Sequence, residues 1–141
     1  MRAMIFRQRL PLLVAAVLAL AAPPLLAETI VVPVGASVAD ALLQAQPGDI
    51  VQLECGLHRA QGLIMPEGVV LAGASGEMGC AALAGDGSAP ILICEDLSPA
   101  TQIVGITFRG DPTAINEEVA RGCAIYCRLA SPHIRNCRFE D

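Results

Sequence analysis

The residues best suited to acid–base chemistry gather late in the chain: Arg109, Asp111, Glu117, Glu118 and Arg121 lie between two apolar segments. Polysaccharide cleavage needs paired carboxylates, or Ca²⁺-binding carboxylates with a basic residue that accepts a proton. Glu117, Glu118, Asp111 and Arg109 are therefore the candidate catalytic residues, in the longest excursion from the late apolar segments. Adjacent acids are also ordinary in a solvated loop. Asp86 lies between two glycines, and Glu95-Asp96 follows a strand that ends at Cys94, so these acids read as turn residues. His58 and His133 are isolated and read as surface histidines. Arg109-Gly110-Asp111 spells an adhesion tripeptide but is also ordinary turn chemistry. The sequence has no Gly-x-Ser-x-Gly elbow, phosphate loop or His-Glu-x-x-His pair. These residues assemble no complete catalytic site, and they imply no cofactor. Ca²⁺ enters only with activity on polysaccharide.

The six cysteines, Cys55, Cys80, Cys94, Cys123, Cys127 and Cys137, are the second reactive set. An even count in an exported chain favours disulfides, and spacing alone does not choose the pairing. Zinc is the rival, through Cys123, Cys127 and Cys137 with His133 between. In a strand Cys123 and Cys127 would stand roughly 13 Å apart, too far to share an ion.

Export is read from the start of the chain. Arg2, Arg7 and Arg9 precede an apolar run that ends in Leu25-Leu26-Ala27 before Glu28. This is a signal-peptide pattern over residues 1–27, which leaves one domain over 28–141 in the periplasm or outside the cell. The run is shorter than the roughly 20 apolar residues of a spanning helix, and no later segment could span after cleavage. Loss of three of nine arginines leaves six against fourteen acids, a net charge of −8, with no lysine. That balance disfavours nucleic acid as a partner. It also disfavours a tight grip on a polyanionic polysaccharide unless a cation mediates it.

These groups need a frame, and a repeat of 31–32 residues supplies one. Leu71, Ile103 and Ile134 fall in one column, Gly73, Gly105 and Asn136 in a second, Ile106 and Cys137 in a third, and Phe108 and Phe139 in a fourth. A second set aligns at the same offset, with Ile91 over Cys123 and Ile93 over Ile125. This offset would put Glu95 against Cys127. A fixed period of this size marks a solenoid whose repeats bury their apolar side by stacking. Gly73, Gly105 and Asn136 are the expected corner residues, because Gly and Asn tolerate a left-handed backbone. Ser37–Gln46 is the one helical stretch, capped by Ser37 and ended by Pro47-Gly48. It is too short to stand alone and should cover an open apolar end. The remainder reads as strands of three or four residues between Gly, Pro, Asn and Asp turns.

The sequence here resembles the N-terminal part of right-handed parallel β-helix proteins of the pectin-lyase-like superfamily. The resemblance is carried by the opening helix, Pro47 to Leu53, Met65 to Ala74, Gly85 to Pro90, Ile103 to Phe108 and Ser131 to Phe139. It implies an all-β fold: a right-handed parallel β-helix of about three to four coils with a short N-terminal capping helix. It also implies polysaccharide as a partner class, and it does not choose an activity. The expected function is an exported structural or binding module that faces carbohydrate. The alternatives are the N-terminal part of a polysaccharide lyase or glycoside hydrolase, and a surface adhesin passenger. The last strand ends at the C-terminus without a cap, so the module reads as C-terminally incomplete. Further coils or another chain are needed to cover that end.

Overall fold

A computed structural model describes residues 26–76, 79–110 and 124–140. Its first element, β1 (Thr29–Val32), precedes the single short helix, α1 (Val38–Gln44). Ser37 caps α1, its Oγ accepting from the Asp40 backbone N–H at 3.1 Å. The helix buries Val38, Ala41 and Leu42 and packs against β1 and the first strands that follow it. It therefore closes the apolar interior at this end, which a helix of this length can do only by tertiary packing.

Strands then follow in a strict order. β2 (Ile50–Leu53), β5 (Val70–Gly73), β8 (Gln102–Val104) and β11 (His133–Arg135) extend the sheet begun by β1. β3 (Gly56–Arg59), β6 (Ala81–Ala84), β9 (Ile106–Arg109) and β12 (Arg138–Glu140) form a second sheet. β4 (Leu63–Ile64), β7 (Leu92–Glu95) and β10 (Ile125–Arg128) form a third. After α1 the chain visits the first, second and third sheets in turn and then begins again. Every strand pairing among the described residues is parallel. The fold is all-β, made of parallel sheets with one short helix, and is compatible with a β-helix-like solenoid.

The register makes the inward side chains stack. Ile30, Val51, Leu71, Ile103 and Ile134 form one column through the first sheet. His58, Leu83, Phe108 and Phe139 form another through the second. Leu63, Leu92 and Ile125 form a third. Leu71, Leu83, Leu92, Ile103 and Phe108 are fully buried. Phe108 and Phe139 stack with ring centroids 5.4 Å apart and planes 11° apart. The last members of the columns are open: Ile134 is 41% and Phe139 55% exposed.

The 31–32-residue columns hold in the first and second sheets, where Ile103 pairs with both Leu71 and Ile134 and Phe108 with Phe139. The third sheet departs from them. Leu92, not Ile91, begins the pairing, and it faces Ile125, so this pair stands 33 residues apart. Ile93 meets Tyr126, Cys94 meets Cys127, and Glu95 meets Arg128 rather than Cys127. Because side chains alternate along a strand, this shift of one residue exchanges inward and outward positions. Cys94 is inward and fully buried, while Glu95 is outward and exposed.

Gly105 and Asn136 have φ of +68° and +51°. Gly73 is not among the positive-φ residues; it ends β5. A Cβ on Gly73 would lie 2.4 Å from the Gly105 carbonyl oxygen, so its lack of a side chain serves close approach. A Cβ on Gly105 would lie 2.7 Å from the Gly76 carbonyl carbon and 2.8 Å from its oxygen. Two residues on, Thr107 points away from the Phe108 column yet is only 1% exposed, and its Oγ1 has no partner among the described residues. Gly105→Ala should therefore destabilise by roughly 2–4 kcal/mol, from left-handed strain plus a backbone clash. Thr107→Val should stay within about 1 kcal/mol of the parent, because it removes an unpartnered buried hydroxyl. Urea unfolding of the two variants checks the contrast.

Candidate functional site

Arg109 ends β9 on the outer face of the second sheet, in an outward column of Arg59, Ala84, Arg109 and Glu140. Its Nε donates to Glu140 Oε2 at 3.1 Å. Arg138 Nη1 reaches the other oxygen of the same carboxylate at 3.3 Å. Such exposed pairs contribute at most about 1 kcal/mol, but Arg109–Glu140 links β9 to β12 in register, while Arg138 lies on the same strand as Glu140. Asp111, Glu117 and Glu118 lie outside the described residues, as does Cys123. Glu95 receives the Arg128 Nε at 3.1 Å, and Asp96 follows at φ +53°, in a left-handed turn.

Three carboxylates serve the corners instead. Asp49 accepts from the backbone N–H of Gln46 at 2.8 Å and of Glu28 at 3.0 Å, which holds its carboxyl below the usual range. Glu67 accepts the hydroxyl of Ser98, the Ser98 N–H at 2.8 Å and the Thr101 hydroxyl at 3.2 Å. The Ser98 bonds do most to lower it. Asp86 accepts from Ser88 N–H at 2.9 Å and is lowered chiefly by Ser88. All three shifts favour the charged form. Each carboxylate is suited to fastening a turn, whereas a general acid needs a shift upward.

One shallow cleft, of about 290 Å³, lies where β3 and β6 end. Arg59, Gln61 and Asp86 supply its polar groups over a floor of Ala60, Ala84 and Gly85. Asp86 N–H donates to Gln61 Oε1 at 3.1 Å, which fixes both residues. A guanidinium and a carboxylate beside small residues can orient a neutral polar ligand such as a sugar hydroxyl array. Asp86 is the one carboxylate among the lining residues, and its partners hold it charged.

His58 was read as a surface residue, but it points inward and is 2% exposed. Its Nε2 donates to the Glu54 carbonyl oxygen at 2.8 Å, and Nδ1 has no partner among the described residues. His133 lies outward on β11 and is exposed. Cys55 and Cys80 form a disulfide, with Cα atoms 4.6 Å apart. Cys94, Cys127 and Cys137 are free thiols. Cys137 Sγ lies 3.3 Å from the Arg135 carbonyl oxygen and 3.7 Å from that of Ile103.

The Arg59–Asp86 cleft was missed by sequence reasoning because its parts lie in successive turns, 27 residues apart, outside the aligned columns. The available signal was Gly85-Asp86-Gly87-Ser88, a turn that tolerates a close neighbour. Burial pushes the Cys94 thiol from 9.0 up to about 12, with the adjacent Cys127 adding to the shift. The folded chain thus keeps a proton that the unfolded chain loses above pH 9. This stabilising effect is present below that pH and fades as pH rises toward 12. Urea midpoints of the reduced protein should therefore fall more steeply above about pH 9 than those of Cys94→Ala.

Comparison with protein-family models, curated proteins and solved structures finds no match for this chain.

Proposed function

We propose that the chain is an exported, non-catalytic module with a structural or binding role, folded as a right-handed parallel β-helix of the pectin-lyase-like kind. The observation that carries this reading is the stacking of like residues through three parallel sheets in repeated chain order. Parallel crossovers of one hand are the rule in proteins, and the right hand is the general preference. The chain enters the first sheet four times after α1, at β2, β5, β8 and β11, which corresponds to about three to four coils.

The apolar face left by Ile134, Phe139 and Cys127 supports a binding role. Each aligns with a residue that is fully buried, Ile103, Phe108 and Cys94 respectively. The Arg59–Asp86 cleft supports a carbohydrate-facing surface, with Ca²⁺ needed only for a polyuronide. Asp49, Glu67 and Asp86 serve turns and Glu95 and Glu140 ion pairs, and this favours the module over the lyase or hydrolase reading.

The protein purified from the periplasm should begin at Glu28 and release neither unsaturated uronides nor reducing ends from polyuronides with Ca²⁺. Release of either product would give the enzyme reading priority. At tens of micromolar the protein should sediment as an assembly, and a variant with both Ile134→Glu and Phe139→Glu should sediment as a folded monomer. Identical sedimentation of the two would remove the end face as a contact surface.

A further inference from the structure

We infer that Cys94 and Cys127 are the two halves of a second disulfide, one that staples the last strand of the third sheet to its neighbour. The inference rests on strand register and is independent of the functional reading above. Cys94 on β7 and Cys127 on β10 are direct partners in a parallel ladder. Cα atoms in such a position stand about 4.8 Å apart, inside the roughly 4.4–6.8 Å that a disulfide spans. Both side chains belong to one inward column, so their Cβ vectors run alongside each other.

The same molecule joins another pair of register-matched cysteines, at a corner just ahead of two strands. Cys55 and Cys80 each precede a paired residue, Gly56 and Ala81, of adjacent strands in the second sheet. The Gly56 N–H donates to the Cys80 carbonyl at 2.8 Å, so the ladder runs through them, and they are joined. One staple thus ties the first cycle of strands to the second. The other would tie the last described strand of the third sheet to the one before it. Cys137 lies in a different sheet, in the column of Ile106, and is not a register partner of either thiol.

Access gives the two sulfurs separate roles. Cys127 is exposed, whereas Cys94 is fully buried. The oxidant is a disulfide, either oxidised glutathione or a periplasmic dithiol–disulfide oxidoreductase. The Cys127 thiolate attacks one oxidant sulfur, and the other leaves and takes up a proton. Cys94 then gives up its proton and attacks Cys127 Sγ, expelling the first oxidant sulfur as a thiol. Two protein thiols and one external disulfide become one protein disulfide and two external thiols, which balances electrons and protons.

The test uses the full chain recovered from the periplasm, alkylated without reduction and digested with trypsin and chymotrypsin. Cleavage after Tyr126 separates Cys123 from Cys127, so the linked peptides identify the partner. The expected result is a peptide pair joining Cys94 to Cys127, retained in Cys137→Ser. Oxidised glutathione added to the selectively reduced protein should remove these two thiols together and raise the melting midpoint by several degrees. Cys127→Ser should show no such rise. Alkylated Cys94 and Cys127 in the untreated protein, both refractory to oxidised glutathione, would overturn the inference. So would a Cys123–Cys127 or Cys127–Cys137 link.

Discussion

The structure depends on one constraint: parallel strands about 4.8 Å apart force each inward side chain to lie directly over its counterpart in the next cycle. A column can then hold only residues that tolerate close stacking along its whole length. Val51, Leu71 and Ile103 meet this condition and have no exposed surface. Phe108 over Phe139 meets it by near-parallel stacking at 5.4 Å. His58 opens its column with the Glu54 carbonyl, four residues back, accepting from its Nε2. A buried imidazole without that partner would carry two orphan groups instead of one.

The constraint reaches the outer surface and the corners. Outward residues stack as well, so unlike charges placed in register become ion pairs, as Glu95 with Arg128 and Arg109 with Glu140. Corner residues also lie near corner residues of the neighbouring cycle. Glu67 of one corner accepts from Ser98 and Thr101 of the next, and Asp49 reaches back to the Glu28 N–H before β1. Among the described residues, Asp49, Glu67, Glu95 and Glu140 thus hold neighbouring cycles together.

The same constraint decides what was legible in the sequence. A repeat shows itself where the connecting segments keep a constant length, and the columns of Leu71, Ile103, Ile134, Phe108 and Phe139 were readable for that reason. The third sheet sits 33 residues apart at Leu92 and Ile125, one more than the offset used, and a pleat turns that single residue into an exchange of faces. β3 was invisible because its inward position is His58 and its other inward position is Gly56, so no apolar alternation marks it. β1 was hidden beside the leader-like segment, where Thr29–Val32 carries no preceding turn signal. The turn glycines were legible as a group but not in their separate roles. Gly105 adopts a positive φ, whereas Gly73 makes room for a carbonyl oxygen, and a sequence column cannot tell these apart.

Stability in such an arrangement is a sum over neighbouring cycles, so an end cycle has only one neighbour to hold it. The two ends of the described stack are treated differently. At the first, α1 lays Val38, Ala41 and Leu42 over the interior, and a disulfide fastens the opening cycle to the second. At the other, Ile134 and Phe139 continue columns whose inner members are wholly enclosed, yet both keep large exposed areas. Leaving these side chains in water forfeits roughly 25 cal/mol for each Å² of apolar surface. The cycle keeps its register nonetheless, with Arg109–Glu140 and Arg128–Glu95 pinning its outer edge and the Phe108–Phe139 stack its inner one. Covering Ile134 and Phe139 would add hydrophobic contact without first having to organise the strands that carry them.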